Sequence, residues 1–61
     1  MNLLTTAKNE TRIELNEGRN GNGQPVYIVA TERSGSRGQT IKHAESFASR
    51  SEAEAWIKYG V

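Results

Sequence analysis

The sequence predicts an α+β fold: a small three-stranded antiparallel sheet with one C-terminal helix packed on one face, in the order β-β-β-α. Three observations carry that expectation. Residues 40–61 run from a strand-length stretch straight into a capped helix, polar and apolar residues alternate over 11–16 while 26–31 is apolar on both faces, and glycine-rich segments at 17–23 and 33–38 separate these stretches.

Residues 1–10 are mostly polar apart from Leu3-Leu4 and read as a flexible N-terminal arm ahead of a single domain over 11–61. From Thr11 to Asn16, Arg12 and Glu14 point one way and Ile13 and Leu15 the other, the period of a half-buried strand. Glu17–Gly23 reads as a turn, because Asn20-Gly21 and Asn22-Gly23 both supply positive φ angles. Pro25 opens the next strand, where its missing N–H is tolerated. Val26, Ile28 and Ala30 are assigned there to one face, and Tyr27, Val29 and Thr31 to the other. Both sets are apolar enough for a central strand. After a turn at Arg33–Gly38, the third strand spans about 39–47. Ile41 and Phe47 share a parity with His43 and Glu45, so the pattern predicts either a bulge near Ala44 or an early strand end with Phe47 entering from the connection.

Ser49-x-x-Glu52 is a capping box, and Ala53, Trp56 and Ile57 at i, i+3 and i+4 share one helix face. Glu54 and Lys58 are spaced to pair on the solvent side, and Gly60 stands where a left-handed C-terminal cap belongs. The helix is expected to cover Ile13, Leu15, Val26, Ile28 and Phe47, with Trp56 as the largest contributor to burial. Arg12, Glu14, Tyr27, Val29, Thr31, Thr40 and Lys42 are left on an open face.

Composition narrows function. The chain has 61 residues and no cysteine, so neither disulfides nor thiolate metal sites can staple so small a core. No apolar run reaches the roughly 18 residues needed to cross a bilayer, and the first ten residues lack the character of a secretory signal, which together predict a cytoplasmic protein. Net charge is +1, too balanced for a protein that coats nucleic acid by charge alone. Aspartate is absent, however, and five of the eight cations are arginine, whose planar fork grips phosphates and carboxylates.

No enzyme is expected. His43 is the only imidazole, with no thiol or aspartate beside it, and a Ser-His-Glu set drawn from Ser36 or Ser46, His43 and Glu45 lacks an oxyanion hole. Scattered glutamates around one histidine lack the spacing of metal ligands, and no cofactor is implied. Binding is the better expectation. The sheet residues Arg12, Tyr27, Thr40 and Lys42, flanked by turns bearing Arg19, Arg33 and Arg37, suit a sheet that enters the major groove while arginines hold phosphates.

Phe47, Ser49, Glu52, Ala53, Glu54, Ala55 and Trp56, preceded by Tyr27–Arg33 and Gln39–Lys42, resemble the arm-type DNA-binding domain of phage and transposon tyrosine recombinases. That resemblance implies a three-stranded sheet in the DNA major groove braced from behind by a helix, with Tyr27, Val29, Thr31, Arg33, Thr40 and Lys42 facing DNA. Size, the Ser-x-x-Glu cap and the helix aromatic also resemble small phage-encoded inhibitors of host defence, including anti-CRISPR proteins, which occlude a host complex without chemistry. The leading expectation is a non-enzymatic phage or mobile-element module that contacts double-stranded DNA through the open sheet face. The alternative is an inhibitor that binds a host protein or nucleoprotein complex, with Tyr27 and Val29 as anchors. A homodimer through sheet faces or edge strands is the third.

Overall fold

The computed structural model describes residues 1–60. Four strands, not three, form one antiparallel sheet in chain order: β1 (Asn2–Lys8), β2 (Thr11–Arg19), β3 (Pro25–Ser34) and β4 (Thr40–Phe47). A short helix follows, α1 (Arg50–Ala55), and continues as a π-helical turn over Trp56–Gly60.

The additional strand comes from the segment expected to be a loose arm. Lys8 pairs with Thr11, so Asn9 and Glu10 form a two-residue hairpin turn with φ of 51° and 65°. That is the geometry of a type I′ turn, which favours Asn-Gly. A glutamate at its second position hides the turn from a sequence reading. The strand is then tied at its start, where Glu17 N–H donates to Met1 O at 2.8 Å and the terminal ammonium donates to Glu17 O at 2.9 Å. A bulge at Leu3, between the pairs Asn2–Asn16 and Leu4–Leu15, turns Leu3 into the core and leaves Leu4 40% exposed. Holding a Cβ in the left-handed region at Glu10 costs about 1 kcal/mol. Glu10→Gly is therefore expected to raise stability by about that much, seen as a thermal midpoint several degrees higher.

The two other hairpins share one design. Asn20 N–H donates to Gln24 O and Gly23 N–H to Asn20 O, each at 3.0 Å; Gly35 N–H donates to Gln39 O at 2.6 Å and Gly38 N–H to Gly35 O at 3.1 Å. Gly23 and Gly38 take φ of 79° and 80°, where any side chain is strained. Each is a tight turn followed by a left-handed residue, the usual three-residue hairpin loop. The turns are thus shorter than the sequence implies, and Glu17–Arg19 and Arg33-Ser34 belong to strands β2 and β3.

That loop length reverses the expected phase of β3. Arg19 falls opposite Pro25, which sets Leu15 opposite Val29 and Ile13 opposite Thr31. Tyr27, Val29 and Thr31 therefore lie on the helix-covered face and Val26, Ile28 and Ala30 on the open one, because a one-residue slip flips every side chain. Register between β3 and β4 is unbroken from Tyr27–Phe47 to Ser34–Thr40, so there is no bulge near Ala44. His43 and Glu45 interrupt the apolar parity of β4 because they lie at the rim of the short helix. His43 stacks on Trp56 at 6.3 Å between ring centroids.

Ile13, Leu15, Val29 and Ala53 are fully buried, ringed by Leu3, Tyr27, Phe47, Trp56 and Ile57. Trp56 is only half-buried, so the largest fully buried side chains are Ile13, Leu15 and Val29. Ser49 caps the helix, its Oγ accepting from Glu52 N–H at 3.3 Å; among the described residues the reciprocal bond of the box is absent. Glu54 pairs with Arg50 at 3.2 Å and not with Lys58, because the wider π turn carries Lys58 out of i, i+4 spacing. The Lys58 carbonyl instead accepts from Lys8 Nζ at 3.0 Å, joining the helix end to β1. Gly60, expected as a left-handed cap, is instead the last residue of the π-helical turn.

Candidate nucleic-acid interface

The face of the sheet opposite the helix is uncovered among the described residues. Strand pairing arranges it in rows: Arg12–Glu32–Lys42, then Glu14–Ala30–Ala44, then Asn16–Ile28–Ser46. Small side chains at Ala30 and Ala44 leave a shallow hollow of about 340 Å³, rimmed by Arg12, Glu14, Glu32 and Lys42. Arg12 Nη2 lies 2.8 Å from Glu14 Oε1. Two cations against two carboxylates leave this rim without net charge, a poor floor for phosphate. The middle of the face is apolar, with Val26, Ile28 and Ala30 half-buried.

Positive charge concentrates elsewhere. Arg12–Glu32 is the last pair between β2 and β3, yet β3 and β4 stay paired through Arg33–Ile41 and Ser34–Thr40 to the turn. A two-stranded ribbon therefore projects beyond the four-stranded sheet, in a molecule measuring 40 × 22 × 16 Å. Between Glu32 and Lys42 the charged residues are Arg33 and Arg37, with no carboxylate among them. Arg33 has the parity of the helix side, Thr40 and Lys42 that of the open side, and Arg37 lies in the turn. Among the described residues, Arg33, Arg37 and Lys42 enter no ion pair.

The ribbon tip is built to hold its shape. Arg37 N–H donates to Gln39 Oε1 at 3.0 Å, so the Gln39 side chain folds over the loop. A Cβ at Gly35 would stand 2.7 Å from Gln39 Cδ, so glycine is what admits that packing. The hairpin thus presents Arg37 from a closed turn.

Of the residues expected to bind, the structure brings together Arg33, Arg37, Thr40 and Lys42. Arg12 stands at the ribbon base, engaged with Glu14. Tyr27, Val29 and Thr31 lie on the helix side, where Val29 is fully buried and Tyr27 packs against the core. Arg19 lies at the other end of the sheet, where its Nη1 donates to Gly23 O at 2.8 Å and braces the β2–β3 turn. Sequence reasoning passes over Ser34, Ser36 and Gln39, which share the ribbon; the Gly-Ser-Arg-Gly-Gln string is the available signal.

His43 Nε2 lies 2.9 Å from Glu45 Oε1 on the helix side, while Ser46 has the opposite parity and Ser36 is in the turn. The three members of a catalytic triad are therefore not assembled from these residues. Among the described residues no helix is long and apolar enough to cross a membrane. Comparisons of the chain with protein-family models, with characterised proteins and with solved structures found no match.

Proposed function

We propose that the protein is a small, non-enzymatic module that binds double-stranded DNA by inserting the β3–β4 ribbon into the major groove. The observation that carries this reading is the projecting ribbon itself, with cations on both faces and at its tip that enter no ion pair among the described residues, and no carboxylate in its own sequence between Glu32 and Lys42. The major groove, about 12 Å wide, admits a two-stranded ribbon. Arg33 and Lys42, of opposite parity, then reach the two phosphate walls, while Arg37 leads toward base edges with a fork suited to guanine. Thr40 and Ser34 lie beside them. The helix covers the other part of the sheet, as the resemblance to recombinase arm domains implies, and that likeness supports a phage or mobile-element origin. The contact differs from the expected one: it is the ribbon and not the broad sheet face, whose charges cancel. The inhibitor reading relied on Tyr27 and Val29 as exposed anchors, and with both on the covered face it would have to grip through Val26 and Ile28.

The test is salt. With Arg33 and Lys42 each neutralising one phosphate, the logarithm of affinity falls with the logarithm of salt at a slope of about −1.8, roughly 12-fold between 50 and 200 mM. Fluorescence anisotropy on a labelled duplex measures it. No binding at about 50 mM salt and tens of micromolar protein would remove the proposal.

A further inference from the structure

We infer that the open sheet face is a self-association surface on which two copies of this chain pair face to face, with Ile28 at the centre. Self-association shares only Lys42 with the DNA contact, because Ile28 and its neighbours lie off the ribbon.

Three observations select a second copy as the occupant. The first is charge. A two-fold interface sets a face against itself, so a face of one sign would repel its copy. Here Arg12 and Lys42 are balanced by Glu14 and Glu32 around Ala30 and Ala44, beside the row that holds Ile28, and a rotated copy can set cation against carboxylate.

The second is the shortage of core. Among the described residues four are fully buried, in a chain of 61 without cysteine. Domains below about 70–80 residues rarely reach ordinary stability on one small core and commonly draw on disulfides, metal or association. Among the described residues no cluster of three metal-ligating side chains exists, and burying a second sheet face would add to so small a core.

The third is area. Four strands at about 4.8 Å and seven residues at about 3.3 Å give a face of roughly 440 Å² in plan. Two such faces, with side-chain relief, reach the ~1,000 Å² at which specific interfaces begin. The accessible surface, 4443 Å², also exceeds the ~3,900 Å² usual for a monomer of this mass. That surplus is comparable to one such face.

Sedimentation equilibrium over a concentration series tests the inference on the full chain. The weight-average mass is expected to climb from 6.7 kDa toward twice that value between ~10 µM and ~1 mM, the affinity of a minimal interface. The thermal midpoint should rise with concentration in parallel. Ile28→Lys is expected to hold the mass at that of a monomer, as is Ser46→Arg, placed beside Ile28 at an already exposed site that folding does not use. Circular dichroism identifies a variant that fails to fold, and the other then decides. A mass that stays monomeric throughout overturns the inference. So does a dimer that survives both substitutions, which would place the contact at a strand edge, or a chain that is monomeric alone and uses Ile28 to bind a different protein.

Discussion

Leu15→Ala is expected to leave the domain unfolded or nearly so at 37 °C. Leu15 is fully buried, paired across β2–β3 with the equally buried Val29. Truncating such a leucine removes transfer free energy and leaves a cavity, together about 2–5 kcal/mol. At roughly 0.05–0.15 kcal/mol per residue, a chain this size holds about 3–9 kcal/mol in all. At mid-range, one substitution therefore consumes about half of the whole. Ile28→Ala, measured at about 1 µM protein, below the association range, is the matched control, one residue away from Val29 on the same strand but on the open face, and should cost well under half as much. Urea midpoints for the two variants compare them directly, and equal losses would show that β3 faces the other way.

The triple variant Arg33→Ala, Arg37→Ala, Lys42→Ala is expected to abolish retention of duplex DNA while leaving the melt unchanged. None of the three makes an ion pair among the described residues, so their removal takes no such pair from the fold. Each phosphate left without its cation should flatten the salt dependence by about one unit of slope, leaving little of the ~1.8 expected for the parent. Arg19→Ala removes the same kind of charge from the far end of the sheet and should retain DNA. Equal loss of binding in that variant would mean diffuse attraction, with no role for the ribbon.

Much of this molecule can be read in the chain. The Ser49 cap, the face made by Ala53, Trp56 and Ile57, the alternation of β2 and two of the three hairpins stand where local chemistry puts them. Each depends on residues a few positions apart, so neighbouring side chains suffice to specify it. β1 escapes such a reading because its turn uses Asn9-Glu10 and its strand is mostly exposed, leaving little alternation to detect. The candidate interface is half legible: Arg33, Arg37, Thr40 and Lys42 are recognisable by type, whereas Tyr27, Val29 and Thr31, expected on the open face, lie on the side that the helix covers.

The reason is one of range. Periodicity along a strand separates its two faces but does not say which of two apolar faces meets the helix. For β2 the choice is plain, since Arg12 and Glu14 oppose Ile13 and Leu15. For β3 both sets are apolar, and the decision passes to the β2–β3 loop. With three residues between Asn20 and Gln24, Val29 falls beside Leu15; one residue more would have put Ala30 there.

The amino-acid order alone determined the antiparallel hairpins, the capped helix, and a cation-rich turn between Arg33 and Lys42. Only the folded arrangement decided that the first residues complete the sheet, that Val29 and not Ile28 goes inward, and that β3 and β4 outrun their neighbours. Short-range hydrogen bonding and φ preference govern the first set. Pairing register between distant segments, summed over the whole sheet, governs the second.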